Sequence, residues 1–529
     1  MTKKKIQIWL PLLLAAVLAV GMLLGYQLKD SMGQYAPSLF AKKKTTALQE
    51  ILELIRTRYV DTVRMDSLSA HVVKEIFNQL DPHSSYIPAK DVQDLNNDLK
   101  GNFEGIGVEF DIYDDTVTVL NLLPNGPADV AGIRPGDQLL QANKKPVSGV
   151  GATPDQIRKE FTGPRGTAVT IRVRRNGTEM DVVVQRGVIP IRTVDAAYML
   201  EPGIGYVRLS KFSSNTYEEF MERLEKLRDS GMQQLILDLR DNGGGVLDDA
   251  IQIADEFLDG AKEIVSTEGR AVPRQVFTAR RPGLFETGKL VVLINENTAS
   301  ASEVLTGALQ DWDRATIIGR RSFGKGLVQE QYFLSDGSAI RLTVSRYVTP
   351  VGRNIQKPYE KGNTNGYDAE VLNRIKSREL FIADSMHHNG KQYRTKNGRL
   401  VYGGGGITPD IFVPADSTLL LIQKNNTLRR LLSKVAFRYV SALKDTLQHL
   451  KAPEALHAYL QQDPKLSQLF YATIQKDSSI TLPVGTAAQP MLHYVQLMVA
   501  RQLWRKEGFY KMNNLSDPMI QKAREVLRK

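Results

Sequence analysis

Cysteine is absent from all 529 residues, which excludes disulfides, Cys-ligated metals and every cysteine-protease mechanism. Histidine is scarce: there are seven, and none lies between His83 and His387. A Ser-His-Asp arrangement within that span would have to import its imidazole from a flanking segment, whereas a serine paired with a lysine fills the same roles without one. No composition class is depleted enough to signal disorder, since 42% of the residues are hydrophobic and 24% charged. The length exceeds what one hydrophobic core supports, so several domains are expected.

The net charge of +11 is uneven. From Ser417 to Lys529 there are 17 Lys and Arg against 7 Asp and Glu, which leaves the body near neutrality and argues against a nucleic-acid partner. The basic tail, with Arg429-Arg430 and Arg505-Lys506, is open to anionic lipid, to an acidic partner, or simply to solvent along helix faces. At the other end, Lys3-Lys4-Lys5 precedes an uncharged run from Ile6 to Leu28. At 1.5 Å per residue the run reaches roughly 34 Å, enough for a bilayer core. The expectation is a single-pass anchor over residues 1–28. The amino terminus is then cytoplasmic and the remainder extracytoplasmic, in a bacterium periplasmic. A cleaved signal peptide competes, but the run is long and lacks a clear A-x-A exit.

Residues 46–99 carry apolar positions at helical spacing, among them Leu48, Ile51, Leu52 and Ile55, and Asp81-Pro82-His83-Ser84-Ser85-Tyr86 interrupts them as a turn. From Gly101 to about Val188 the texture becomes short strands with one helix over 153–161, and Asn176-Gly177 signals a hairpin. From Ile204 strands and helices alternate, as in an α/β layer architecture. Residues 353–397 are polar and loop-like, and beyond Thr418 the pattern is helical.

Three segments carry chemistry. In Thr298-Ala299-Ser300-Ala301-Ser302-Glu303, Ser300 stands at a helix start, where free N–H groups and the positive dipole end can hold an oxyanion. Ser300-x-x-Glu303 equally fits a capping box. Lys325 lies between Gly324 and Gly326, with Phe323 and Leu327 to desolvate it, and desolvation lowers a lysine's pKa toward that of a general base. Residues Gly319 to Lys325 also match the first seven positions of a P-loop, but Gly326 replaces the required Ser or Thr and a strand follows. The third segment is Asp238-Leu239-Arg240-Asp241-Asn242-Gly243-Gly244-Gly245, at the end of an apolar strand, which reads as ligand-contacting backbone or as a tight loop.

The stretch holding Gly105-Ile106-Gly107-Val108, Pro127-Ala128 and Ala131 to Asp137 resembles a PDZ domain. With the three catalytic segments, the chain from about Thr46 to Pro414 resembles the carboxyl-terminal processing, or tail-specific, serine proteases. The resemblance implies Ser300 as nucleophile, Lys325 as general base and Gln329 as the residue that orients the lysine. It also implies oxyanion donors at Ala301 and at Gly243 or Gly244, with Asp311 as an accessory aspartate. Gly105, Ile106, Gly107 and Val108 would bind the substrate's carboxyl terminus. No metal or cofactor is implied. Thr298 stands where many relatives have serine.

The expected fold is multidomain α+β. An anchor (1–28) and a helical lead (41–98) come first, followed by a PDZ domain (99–188). An α/β protease core with a mixed sheet (189–352) comes next, then an insertion (353–397), a return segment (398–416) and a basic helical extension (417–529). The expected function is that of a membrane-anchored serine endopeptidase whose partners are proteins or peptides with free carboxyl termini. The alternative is a non-catalytic PDZ scaffold with a degenerate protease body. Amphipathic helices at both ends leave room for contacts in a homo-oligomer.

Overall fold

The computed structural model describes Trp9 and residues 11–23, 46–362, 366–367, 369–383, 390–476 and 488–529. Residues up to Val73 form one unit and Lys74–Lys529 another. In the first, the chain is helical at Trp9 and over 11–23. Here the expected anchor is corrected. Among the described residues no helix is long and apolar enough to cross a membrane, so neither the single-pass anchor nor the extracytoplasmic location inferred from it is supported. An uncharged run of that length permits a span but does not by itself specify one. Residues 1–8, 10 and 24–28 of that span lie outside the described residues.

Residues 108–185 build an antiparallel sheet in the order Val108–Tyr113, Thr116–Leu122, Gln138–Ala142, Ala168–Arg175, Thr178–Gln185. The Asn176-Gly177 turn has φ of 50° and 82°, the positive pair that a two-residue hairpin requires. Helix Pro154–Phe161 begins at a Thr153/Gln156 capping box and sends Ile157 and Phe161 into a core with Val117, Val119, Leu139, Ile171 and Val173. Strand Val108–Tyr113 is at the sheet's edge, with one backbone side unpaired among the described residues.

The α/β body is a six-stranded sheet in the order Val194–Glu201, Ile204–Leu209, Gln234–Asp238, Leu290–Ile294, Thr316–Gly319, Ile411–Phe412. The first pair is antiparallel and the rest are parallel. Apolar residues run continuously along the central strands, as they must where both faces are buried. One face, with Val207, Leu235, Leu237 and Val292, packs on helices Thr216–Asp229, Leu247–Asp255 and Ala301–Asp311. The alternate residues Tyr206, Ile236, Val291 and Leu293 meet Met519, Ile520, Ala523 and Leu527 of the last helix, Pro518–Arg528. The end of the chain therefore closes the core.

A second sheet joins Leu327–Phe333, Ala339–Val348, Glu263–Glu268, Gln275–Thr278 and the short strand Ser85–Ile87. Residues 353–397, polar in sequence, carry a helix Glu370–Lys376 and a strand Gln392–Arg394 paired with Leu400–Tyr402. They begin with a fully buried Arg353.

Helices Ser417–Lys424, Asn426–Ala442, Pro453–Gln462, Pro464–Lys476 and Ala488–Asn513 enclose a core of their own around Leu432, Val435, Phe470 and Val495. Part of the tail's positive charge faces acidic groups of the body. Lys434 and Arg438 pair with Asp114 at 2.5 and 3.3 Å, Arg501 pairs with Glu109, and Lys506 pairs with Asp195 at 2.7 Å.

Candidate active site

Three adjacent parallel strands end side by side, and the loops leaving their carboxyl ends carry the three segments singled out above. This is where an open parallel sheet places ligands. Gln234–Asp238 feeds the glycine loop, Leu290–Ile294 feeds Ser300, and Thr316–Gly319 feeds Lys325.

Ser300 has φ 56° and ψ −118°, a left-handed conformation that costs a non-glycine residue about 1–3 kcal/mol and persists only where its surroundings impose it. A sharp strand-to-helix turn of this kind exposes a nucleophilic serine at the top of a sheet. The surroundings are hydrogen bonds to both flanking loops. Thr298 Oγ1 donates to Leu239 O at 2.9 Å, Ala299 N–H to Asn242 O at 3.0 Å, and Phe323 N–H to Thr298 O at 2.9 Å. Thr298 is thus a buried strut of the turn.

Glu303 is fully buried. Its Oε2 accepts the N–H groups of Ser300 (2.9 Å) and Lys325 (2.8 Å), and its Oε1 accepts Gly324 N–H (2.7 Å) and Ser322 Oγ (2.5 Å). Two nitrogens bonded to one oxygen lie within about 6 Å of each other, so this carboxylate joins the serine's backbone to the lysine's. The capping-box pattern is therefore half of a larger device: Glu303 caps the Ser300 N–H while it clamps the lysine loop. Burial pushes the Glu303 carboxyl above its usual range, and Ser322 with the backbone donors opposes that shift.

Lys325 Nζ donates to Gln329 Oε1 at 3.1 Å. Burial lowers the lysine's pKa and Arg341 lowers it further, while Glu303 and Asp81 work the other way.

Gly244 touches the serine turn. A Cβ there would stand 2.7 Å from Ala299 O and 2.8 Å from Ala301 N, and its φ of 91° suits glycine alone. Its N–H donates to Asn242 Oδ1 at 2.9 Å. The N–H groups of Gly243 and Ala301 have no acceptor among the described residues, which leaves these two of the three predicted donors available to an oxyanion. Asp311 is not brought to this centre. It ends helix Ala301–Asp311, roughly 15 Å from Ser300, and pairs with buried Arg353.

At the PDZ-like segment, Gly107 (φ 76°) turns the chain ahead of strand Val108–Tyr113. The Ile106 and Gly107 N–H groups have no acceptor among the described residues. They border a cavity of about 710 Å³ with Phe103, Val108, Phe110 and Phe161 in its walls. Gly105 is held in a two-stranded pairing with Gly187 beside them.

The family models for peptidase family S41 and for the PDZ domain match residues 203–363 and 105–185. A carboxy-terminal-processing protease of Bartonella bacilliformis is 37% identical over 321 residues, covering 59% of this chain and 73% of the relative. The chain belongs to peptidase family S41, the carboxy-terminal-processing proteases. A probable CtpA-like serine protease of Staphylococcus epidermidis is 30% identical over 388 residues, 72% of this chain and 78% of its own. Among solved structures, the photosystem II D1 C-terminal processing protease is 26% identical, covers 70% of this chain and 87% of its own, and superposes with a TM-score of 0.36. The protein is a serine-type peptidase with a PDZ domain.

Two features of this S41 peptidase's site escaped the sequence. One is the clamp made by Glu303, hidden behind a local motif that explains the same residues. The other is the turn Asp81–Ser84, whose His83 carbonyl accepts a hydrogen bond from Gln329 Nε2. Its only signal in the sequence was a Pro-containing interruption between helices.

Proposed function

We propose that this peptidase cuts protein chains with a Ser300-Lys325 dyad and selects them by their carboxyl-terminal tails. The observation that carries the reading is the Glu303 carboxylate shared by the two backbones. Lys325 takes the Ser300 proton as the serine oxygen attacks the peptide carbonyl. The Ala301 and Gly243 N–H groups receive the oxyanion, and the lysine returns the proton to the leaving amine. Gln329 holds the amine by one hydrogen bond, so that its lone pair is left for the serine.

The pH dependence tests the base. A protonated amine accepts nothing, so the rate falls as pH drops through the Lys325 pKa, which burial holds below the ordinary lysine value of 10.5. Initial rates on an unfolded protein between roughly pH 5 and 9 are expected to decline on the acid side. A rate that stays level into mild acid argues against the lysine.

Tail selection rests on the Ile106 and Gly107 donors, the Phe103, Val108, Phe110 and Phe161 side of the cavity and the open edge of strand Val108–Tyr113, to which a peptide adds as a further strand. One peptide with an apolar last residue, as free acid and as amide, is to be titrated into the Ser300→Ala chain. Losing a charge-assisted hydrogen bond costs about 1.5–3 kcal/mol, so the amide is expected to bind roughly ten- to hundred-fold more weakly. Equal affinities would remove the carboxylate-reading role.

A further inference from the structure

The Gln329 carboxamide has two ends of nearly equal size, and only its oxygen can accept from an amine. Rotated by half a turn, it would aim an NH2 group at the Lys325 nitrogen. His83 O prevents this, because a carbonyl only accepts and therefore holds the Nε2 end, leaving Oε1 toward Lys325 at 3.1 Å.

That carbonyl is itself fixed by a half-buried carboxylate. Asp81 Oδ1 accepts His83 N–H (3.0 Å), Ser84 N–H (3.0 Å) and Thr343 Oγ1–H (2.8 Å), and Oδ2 accepts Ser84 Oγ–H (2.6 Å). Ser84 Oγ accepts Thr343 N–H at 3.0 Å. Thr343 is the residue paired with Gln329 across the antiparallel strands, beside the register shift between Val328 and Gln329. The turn is thus bound to the strand opposite the glutamine whose amide it holds. On its other side the His83 imidazole meets the Tyr367 hydroxyl at 2.8 Å. Burial, with the Lys325 charge nearby, pushes that imidazole down to about 4, so it adds no charge to the site at neutral pH.

We propose that Asp81 is a positioning residue for catalysis, which through the His83 carbonyl locks the Gln329 carboxamide in the one orientation that holds the Lys325 amine toward Ser300. The proposal rests on Lys325 acting as the base. It goes further by placing the control of that base in a turn that precedes the PDZ domain in sequence.

The test is a double-mutant cycle on the full-length chain with an unfolded protein substrate. Asp81→Asn keeps the shape of the side chain but removes the charge and turns an NH2 group either toward the three donors now on Oδ1 or toward the Ser84 hydroxyl now on Oδ2. It is expected to lower kcat about 10–100-fold, the scale of a small misplacement of a reacting group, with KM unchanged. In the Gln329→Ala background it is expected to change nothing. An unchanged kcat in Asp81→Asn, or the same fold-loss in both backgrounds, overturns the proposal. Should Asp81→Asn not fold, Asp81→Glu keeps the charge but carries the carboxylate one methylene away from the His83 and Ser84 N–H groups; the same two criteria judge it. Lys325→Ala, measured alongside, separates the two readings. Its full activity removes the base, whereas an inactive Lys325→Ala beside a fully active Asp81→Asn removes only the role of the turn.

Discussion

Ser300→Ala and Lys325→Ala are each expected to lower kcat on an unfolded protein by on the order of 10⁴-fold or more, with the fold intact. Neither change should disturb the structure. Alanine at residue 300 faces the same backbone strain as serine, since φ 56° penalises any Cβ. The Glu303 bonds that hold the turn are made by main-chain N–H groups, which survive in both variants. Without the lysine amine, Gln329 keeps its bond to His83 O. The double variant is expected to be no slower than either single, because a serine without its base and a base without its serine lose the same step. Full activity in either single variant removes the dyad, and losses that multiply in the double variant show that the two residues act independently. Far-ultraviolet circular dichroism and urea unfolding of all three proteins separate loss of chemistry from loss of fold.

How much of this was legible in the sequence depended on the distance over which each residue finds its partner. Strand Leu290–Ile294 is apolar at every position and was readable as a buried strand from five residues alone. The Asn176-Gly177 turn was readable because positive φ at two successive positions is a local demand. Ser300 and Lys325 stood out by motif, and their closeness in the fold follows from strand order, in which their parent strands are neighbours.

The partner of a helix face is not written in its period. The tail helix Pro518–Arg528 showed an apolar stripe, but that it covers the far face of the protease sheet depends on a chain reversal that no local pattern encodes. The basic surplus of the tail read as solvated helix faces or as a surface for an outside partner. In the fold, Asp114, Glu109 and Asp195 take up part of it. The turn at Asp81 failed as a signal for the same reason, because the Gln329 amide that it holds is 246 residues away. Asp311 is a further case. Family likeness implied an accessory aspartate without a stated partner, and in the fold its carboxylate pairs with Arg353 at the far end of the helix from Ser300.

Glu303→Ala is expected to be the most destabilising single substitution in the site. It strands four donors, the N–H groups of Ser300, Gly324 and Lys325 and the Ser322 hydroxyl, in a place where Glu303 itself has no exposed surface. A buried donor without an acceptor costs about 1–3 kcal/mol, so the loss is expected to reach roughly 3 kcal/mol or more even if one donor relaxes toward another acceptor. Glu303→Gln discriminates between shape and charge. It fills the same volume, but its carboxamide offers one accepting oxygen where the carboxylate offers two, and its NH2 group must face two of the four donors. It is therefore expected to fall close to Ala in stability, and not between Ala and the parent. Both are best made in the Ser300→Ala background, where self-cleavage cannot imitate unfolding, and compared by the urea midpoint of the α/β body. A Gln variant as stable as its parent would mean that the carboxylate fills space without clamping the two loops. Ser300 and Lys325 would then owe their closeness to strand order alone.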